Sequence, residues 1–279
     1  MKSRIGILTD NTAQFTIEKY PGSQLVHKLP INKMSDNEFT PPLTPGYQSD
    51  HIPHIGYQNL LPEEEDIRDT LLSLNERYDE ILIPVISKKI YPLYYVIEEI
   101  ITRLPNSSRF HLIDSQSMAI GLGMIVQMAA SSAFRNNSIE DIKKYIRNII
   151  PKIYAIFCVK NLHYLYLSGL LDPAQAIIGE FLDIFPCLSL ENGMLVPTYK
   201  ARNLRHCIDL FLEFSSEFEN VRNIALLHGD GVDSQDFHTL RSRIIHQFST
   251  ASFSEHTINL ATASILGPQA IGLIIMETI

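Results

Sequence analysis

Short apolar runs alternate with amphipathic segments along the first half of the chain. The runs Ile5–Leu8, Ile81–Ile86 and Phe110–Ile113 have the length and composition of buried strands. Helical spacing of apolar residues predicts helices over about residues 92–103 and 117–133. Strands that alternate with helices in this way are typical of a mostly parallel sheet covered by helices, so the predicted fold class is α/β.

The second half of the chain has a different pattern. Asn192-Gly193 lies between two apolar runs, which is a strong signal for a β-hairpin. Further strands are predicted at residues 153–159, 223–228, 248–253 and 271–276. We therefore expect two domains: an α/β domain with a parallel sheet over residues 1–155, and a smaller α/β domain with antiparallel strands over residues 156–279.

Small polar residues follow two strands of the first half. Thr9-Asp10-Asn11-Thr12 follows the first strand, and Asp114-Ser115-Gln116-Ser117 follows the strand at 110–113. Ligands of open parallel sheets bind at the carboxyl ends of the strands, so both segments mark a candidate crevice. The same residue types also cap helices. The two roles are compatible, because a cap at the edge of a sheet also lines the crevice.

The composition disfavours some classes of binding partner and indicates a cellular compartment. The chain of 279 residues has 23 basic and 31 acidic residues, and its net charge of −8 disfavours a nucleic-acid or membrane surface. Its three cysteines lack C-x-x-C spacing, so each is predicted to be a core residue in a reduced, cytoplasmic protein. No apolar run reaches the roughly 18 residues of a membrane span, and no signal peptide is expected.

Motifs for catalysis or metal binding are sparse. Ser168-Gly169 lacks the G-x-S-x-G frame of a nucleophilic serine. His51 and His54 stand in a proline-containing loop with no acidic or cysteine partner nearby. We therefore expect no catalytic residue, no metal site and no cofactor. An enzyme that uses the polar strand ends is a weaker alternative, because no nucleophile–base pair supports it.

Six segments, in the correct order, are similar to motifs of the DegV family of bacterial fatty-acid-binding proteins. The matching segments are Thr9–Ala13, Tyr78–Ser87, Asp114–Gly123, Asn161–Gly169, Pro186–Arg202 and Gly267–Gly272. The resemblance covers nearly the whole chain. It implies the two-domain DegV (EDD) fold, with a long-chain fatty acid in a buried apolar tunnel and its carboxylate near the domain junction. It further implies a carrier that presents the carboxyl group to a fatty acid kinase subunit and is not itself an enzyme.

The positions that anchor the carboxylate in this family differ here. The family's threonine and serine fall on Tyr57 and Tyr91, and its arginine and histidine fall on Leu170 and Ile265. A buried carboxylate without hydrogen-bond partners is very costly, so we expect replacement donors. The candidate donors are Tyr57, Gln58, Ser87, Tyr91, Ser115 and Ser264, and Ile86 and Met118 are candidates for the tunnel wall.

Two alternatives follow from the same departures. The ligand could have a less polar head than a carboxylate. Otherwise the site is empty, and the chain is a degenerate DegV-fold scaffold or partner-binding protein that has lost acyl binding.

Overall fold

Two β-sheets organise the chain in a computed structural model that describes residues 4–31, 60–175, 185–229 and 235–278. The first sheet has four strands: β1 (Ile5–Thr9), β2 (Val26–Lys28), β3 (Glu80–Val85) and β4 (Phe110–Asp114). Their order is β2-β1-β3-β4, and all three pairings are parallel. The predicted parallel sheet is therefore confirmed, and the carboxyl ends of its strands lie along one edge.

Helices follow these strands, as the sequence pattern predicts. They are α1 (Glu64–Arg77), α2 (Leu93–Thr102), α3 (Ala119–Phe134) and α4 (Ile139–Ile149). Helix α3 is apolar on all sides and has twelve buried residues, which is typical of a helix inside a core. It contacts β1 and β3 of the first sheet and also β5 and β10 of the second sheet. Helix α3 thus joins the two sheets.

The second sheet contains the strands β5 (Ile153–Cys158), β6 (Phe185–Glu191), β7 (Met194–Ala201), β8 (Val221–His228), β9 (Ser252–Thr257) and β10 (Ile271–Glu277). Their order is β7-β6-β5-β10-β8-β9. Only the β8–β9 pairing is parallel among these described strands, so the expected hairpin and antiparallel character are confirmed. The expected domain boundary near residue 155 falls within β5, and the division into two domains there is still a prediction.

Four further α-helices among the described residues follow β5 in the chain: α5 (His163–Leu167), α6 (Leu204–Ser216), α7 (Gln235–Gln247) and α8 (Leu260–Leu266). The core divides at the second sheet. One hydrophobic cluster runs from the first sheet through α3 to one face of β10, where it includes Ile274 and Met276. A second cluster lies on the opposite face, with Leu273 and Ile275 of β10. The alternation follows from the two-residue period of a strand.

One strand prediction is wrong. The apolar residues at 248–253 predict a strand, but Phe248 continues the helical turn of α7, and its N–H donates to the Ile244 carbonyl. Phe248 is buried at the end of α7, so its hydrophobicity serves helix packing. Strand β9 begins only at Ser252. Within the described part of the chain, no helix has the length and apolar character needed to cross a membrane.

Candidate ligand crevice

Asp10 joins the carboxyl ends of β1 and β3. Its side chain is 1% exposed. The Ile86 backbone N–H donates to Oδ2 of Asp10 (2.6 Å), while the N–H and hydroxyl of Thr12 both donate to Oδ1 (2.8 and 2.5 Å). No α-helix begins between residues 10 and 31, so Asp10 does not cap one. Its carboxyl group instead holds two neighbouring strand ends in place.

Burial raises the pKa of the Asp10 carboxyl, and the hydrogen bonds from Thr12 and Ile86 oppose that rise only in part. Because the folded-state pKa of Asp10 is raised, its contribution to stability is fully present below the unfolded-state pKa near 3.8 and is lost as pH rises through the folded-state pKa. We therefore expect the free energy of unfolding of the wild type, relative to Asp10→Asn, to decline as pH rises above about 3.8. Urea unfolding of both proteins across a pH series measures this difference. A difference that grows with pH would contradict the prediction.

The end of β4 is tied to the same edge. Oδ1 of Asp114 accepts from the backbone N–H groups of Lys88 (3.3 Å) and Gln116 (3.1 Å). The Ser115 hydroxyl accepts from the Ser117 N–H (3.1 Å) and donates to the Ser117 carbonyl (3.0 Å). These bonds form a tight turn before α3. Neither serine caps that helix, whose N-cap is Met118 without a side-chain hydrogen bond.

The β6–β7 hairpin closes over this edge. The Ser87 hydroxyl, just beyond β3, donates to the carbonyl of Gly193 in the hairpin turn (2.7 Å). Gly193 has a φ of +81°, and a Cβ placed there would lie 2.5 Å from Oγ of Ser87. The sequence predicts the hairpin, but nothing local in it indicates that its turn packs on Ser87.

Substitution of Gly193 tests this packing. Gly193→Ala should destabilise the protein by about 2–4 kcal/mol, because the left-handed backbone conformation and the clash with Ser87 both oppose a side chain. Gly169→Ala is the matched control, since Gly169 has a φ of +73° but no atom of the described residues within 4 Å of its added Cβ. It should lose only about 1–2 kcal/mol. Chemical denaturation compares the two variants, and equal losses would show that the hairpin turn does not press on Ser87.

Helix α8 brings further polar contacts to the loop after β1. Oδ1 of Asn259 accepts from the Thr262 N–H (2.8 Å) and caps α8, while Nδ2 donates to the Asn11 carbonyl (2.9 Å). The Gln14 side-chain amide donates to the Thr257 carbonyl (2.8 Å). These bonds join the two sheets beside the crevice. The capping pattern Asn259-x-x-Thr262 is a local signal for the start of α8, but not for its contact with residues 11–14.

The structure places most of the predicted ligand-binding residues in the interior. Ile86, Ser87 and Ser115 lie at adjacent strand ends, and the Ser87 N–H donates to the Ser117 carbonyl (2.9 Å). Met118 is buried at the start of α3.

Tyr91 and Ser264 are the other predicted ligand-binding residues that the structure describes, and the Tyr91 N–H donates to the Ser87 carbonyl (2.9 Å). Tyr91 is half-buried, and burial raises the pKa of its phenol. Ser264 is buried on α8, where its carbonyl accepts from the Ser168 hydroxyl (3.3 Å). Tyr57 and Gln58 lie outside the described residues.

Three of the predicted donors already have acceptors. A hydroxyl has one proton to donate, and Ser87, Ser115 and Ser264 donate theirs to the backbone carbonyls of Gly193, Ser117 and Ala261. A bound carboxylate would require one of these bonds to break, or other donors.

Two buried hydroxyls outside the predicted ligand-binding set are not committed to any acceptor among the described residues. Oγ1 of Thr9 and Oγ of Ser117 have no hydrogen-bond partner within the described parts of the chain. Thr9 and Ser117 belong to the polar segments at the ends of β1 and β4. That position is the sequence signal that could have identified them. They are free to donate to a polar group that enters the crevice.

The expected apolar tunnel is still a prediction. Among the described residues, a surface groove of about 430 Å³ lies between α6 and α7. Its lining consists of Leu212, Ser242, Arg243, His246 and Gln247. These residues lie on the helices of the second sheet, and none of them belongs to the crevice.

Comparison with known proteins identifies the family. A family model described as "Uncharacterised protein, DegV family" matches residues 4–278. The chain belongs to the DegV family. A DegV domain-containing protein of Caldanaerobacter subterraneus is 27% identical over 210 residues, which cover 73% of each chain.

Solved structures of DegV proteins share the fold. The Streptococcus agalactiae protein described as a fatty acid binding DegV family protein superposes with a TM-score of 0.78 at 21% identity, covering 99% of each chain. A stearic acid-binding protein of Eubacterium ventriosum superposes with a TM-score of 0.74 at 16% identity, covering 98% of each chain. At these identities the comparison establishes the DegV fold for this chain, in agreement with the sequence-based expectation.

The two aliphatic residues at expected anchor positions are packed as core residues in this DegV protein. Ile265 is fully buried in α8, and Leu170 is half-buried against the main hydrophobic cluster. Neither can donate a hydrogen bond. A polar head in the crevice therefore gains no hydrogen bond from the side chains of Leu170 and Ile265.

Proposed function

We propose that this DegV protein binds a long-chain fatty acid in a buried apolar tunnel and presents the carboxyl group to a partner kinase, without being a catalyst itself. The observation that carries the proposal is the match of its fold, over nearly the full length, to proteins described as binding fatty acids. The tunnel, the presentation and the kinase rest on the family resemblance of its motifs.

The tail supplies most of the binding free energy in this proposal. Burying a methylene group contributes roughly 0.8 kcal/mol, so a long acyl chain has a large driving force for burial even when its head has few partners. The apolar side chains of Ile86 and Met118 lie next to the polar strand ends, which suits a tail that leads away from a head at the crevice. The head group then sets orientation and selectivity.

The head group has two possible sets of donors. Thr9 and Ser117 have buried hydroxyls without partners among the described residues, so their use breaks no existing bond. The Ser87 hydroxyl becomes available only when the hairpin turn at Gly193 moves away. Tyr57, Gln58 and Tyr91 complete the proposed set, since a phenol packs against an apolar tail while its O–H donates to the head.

A second candidate function is a partner-binding scaffold that has lost acyl binding. It is favoured by the hydroxyls of Ser87, Ser115 and Ser264, which are all committed to backbone carbonyls, and by the aliphatic residues Leu170 and Ile265. In that case the crevice would be a closed structural junction between the two sheets.

Mass spectrometry of the purified full chain separates the two functions. Native spectra should show one bound acyl chain per protein, and denaturing extraction should release a long-chain acid. Added stearic acid should bind to a delipidated sample. A protein that retains no acid and binds none on addition would support the scaffold function and exclude the carrier function.

Removal of a proposed phenol donor should weaken acyl binding. Tyr91→Phe and Tyr57→Phe should each lower the affinity for a fatty acid by about tenfold or more, because a hydrogen bond to a charged group contributes about 1.5–3 kcal/mol. Tyr95→Phe is the control, since Tyr95 lies on α2, four residues after Tyr91, and is 52% exposed. Fluorescent fatty-acid displacement measures all three. Unchanged fatty-acid affinity in both the Tyr57 and the Tyr91 variant would show that the two phenols do not bind the head group.

A further inference from the structure

All three cysteines of the chain meet at one place in the second half of the molecule. Cys158 ends β5, and Cys187 of β6 is its direct cross-strand partner. Cys207 lies in the first turn of α6, which packs on β5 and β6. The three sulfur atoms lie within 4.8 Å of one another, and the Sγ atoms of Cys158 and Cys207 are 2.6 Å apart. The sequence predicts three separate core residues and gives no sign of this convergence.

The surroundings of this cysteine triad are apolar. Its members are buried in the second hydrophobic cluster, together with Ile156, Phe211 and other aliphatic and aromatic residues. Packing alone requires only small apolar side chains here, and it gives no reason for three thiols to face one another. Three convergent sulfurs are, in contrast, what a sulfur-coordinated metal ion requires.

We propose that Cys158, Cys187 and Cys207 form a trigonal, all-sulfur binding site for a soft metal ion, with Cu(I) as the preferred occupant. A metal–sulfur bond of about 2.3 Å places three trigonal sulfurs about 4.0 Å apart, which fits the spread of the triad. The Cys158 and Cys207 sulfurs, now 2.6 Å apart, must separate to reach this spacing. On binding, three copper–sulfur bonds replace three S–H bonds, the protons pass to solvent, and no electron is transferred.

The ligand set distinguishes Cu(I) from Zn(II). Structural zinc is almost always four-coordinate. Among the described residues, no histidine, aspartate or glutamate joins the three sulfurs. Thiolate-only sites select soft ions, and Cu(I) accepts three ligands. The cysteine site is separate from the acyl crevice, so its test is independent of the test of the proposed function.

Anaerobic titration of the reduced full chain with Cu(I), against a chromogenic Cu(I) chelator, tests the site. One Cu(I) should bind per chain, and X-ray absorption should count three sulfurs at about 2.3 Å. Cys207→Ala and Cys187→Ala should each weaken the binding at least about 100-fold, because each removes one of three ligands. Ile208→Val is the matched control: it reduces the volume of a buried side chain next to Cys207 on α6 and should leave the affinity unchanged.

Several outcomes would overturn the proposal. They are an affinity equal in wild type and Cys207→Ala, a coordination shell with fewer than three sulfurs, and tighter binding of Zn(II) with a nitrogen or oxygen ligand. A Cys158–Cys207 disulfide that survives treatment with reductant and metal would also overturn it. Where an alanine variant fails to fold, the sulfur count of the wild-type complex decides.

Discussion

Replacing Asp10 with alanine is expected to lower the free energy of unfolding by about 3–5 kcal/mol. The substitution leaves the buried N–H groups of Ile86 and Thr12 without an acceptor, and each unsatisfied donor costs about 1–3 kcal/mol. It also removes the link between the ends of β1 and β3. Urea denaturation at neutral pH measures the loss. Because Ile86 precedes Ser87 of the proposed head-group site, the proposed acyl binding should weaken in the same variant.

Asp114→Ala is the matched control for Asp10→Ala. Asp114 also ends a strand of the first sheet and accepts two backbone N–H groups, but it is only half-buried, and its bonds are longer, at 3.1 and 3.3 Å. Water can replace the lost acceptor there, so the expected loss is about 1 kcal/mol or less. Similar losses of unfolding free energy in the two variants would show that burial does not cause the larger contribution expected of Asp10.

Gly123→Ala is expected to destabilise the protein by about 3 kcal/mol or more. A Cβ at Gly123 of α3 would lie 1.7 Å from the backbone carbonyl oxygen of Gln14. That oxygen cannot rotate away, and the loop around Gln14 is held by its bonds to Thr257 and Asn259. The clash therefore outweighs the gain of about 1 kcal/mol that alanine brings over glycine inside a helix. Thermal and chemical unfolding both measure the effect.

Gly121→Ala, one half-turn earlier in α3, is the matched control for Gly123→Ala. The nearest atom to its added Cβ is Oγ of Ser117, at 2.1 Å, which can rotate because it has no hydrogen-bond partner among the described residues. Side-chain rotation and the higher helix propensity of alanine should bring the net change within about 1 kcal/mol of zero. A Gly123→Ala protein as stable as this control would contradict the close approach of α3 to the loop after β1.

The strands were predictable where burial alone decides. β1 and β3 are short, mostly apolar runs, because both faces of their strands are buried, and this composition is visible in the sequence. The Asn192-Gly193 turn was predictable because few residue pairs adopt its backbone conformation, with both residues at positive φ. The error at Phe248 arose because an apolar run does not reveal whether it packs as a helix end or as a strand.

The candidate site was predictable only in outline. The polar residues after β1 and β4 mark the crevice, because parallel strands bring their carboxyl ends to one edge. The sequence does not show which hydroxyls are already bonded. Ser87 donates to a carbonyl 106 positions away, and the partner of such a group depends on how the two sheets pack against α3.

The sequence by itself determined the α/β class, the resemblance to the DegV family and the polar strand ends, because burial patterns and turn residues act over a few neighbouring positions. The tertiary structure alone decided the closure of the hairpin over Ser87, the bridging role of Asp10 and the meeting of Cys158, Cys187 and Cys207. These contacts join residues far apart in the chain. Their geometry follows from strand register and helix packing, which no local pattern of residues specifies.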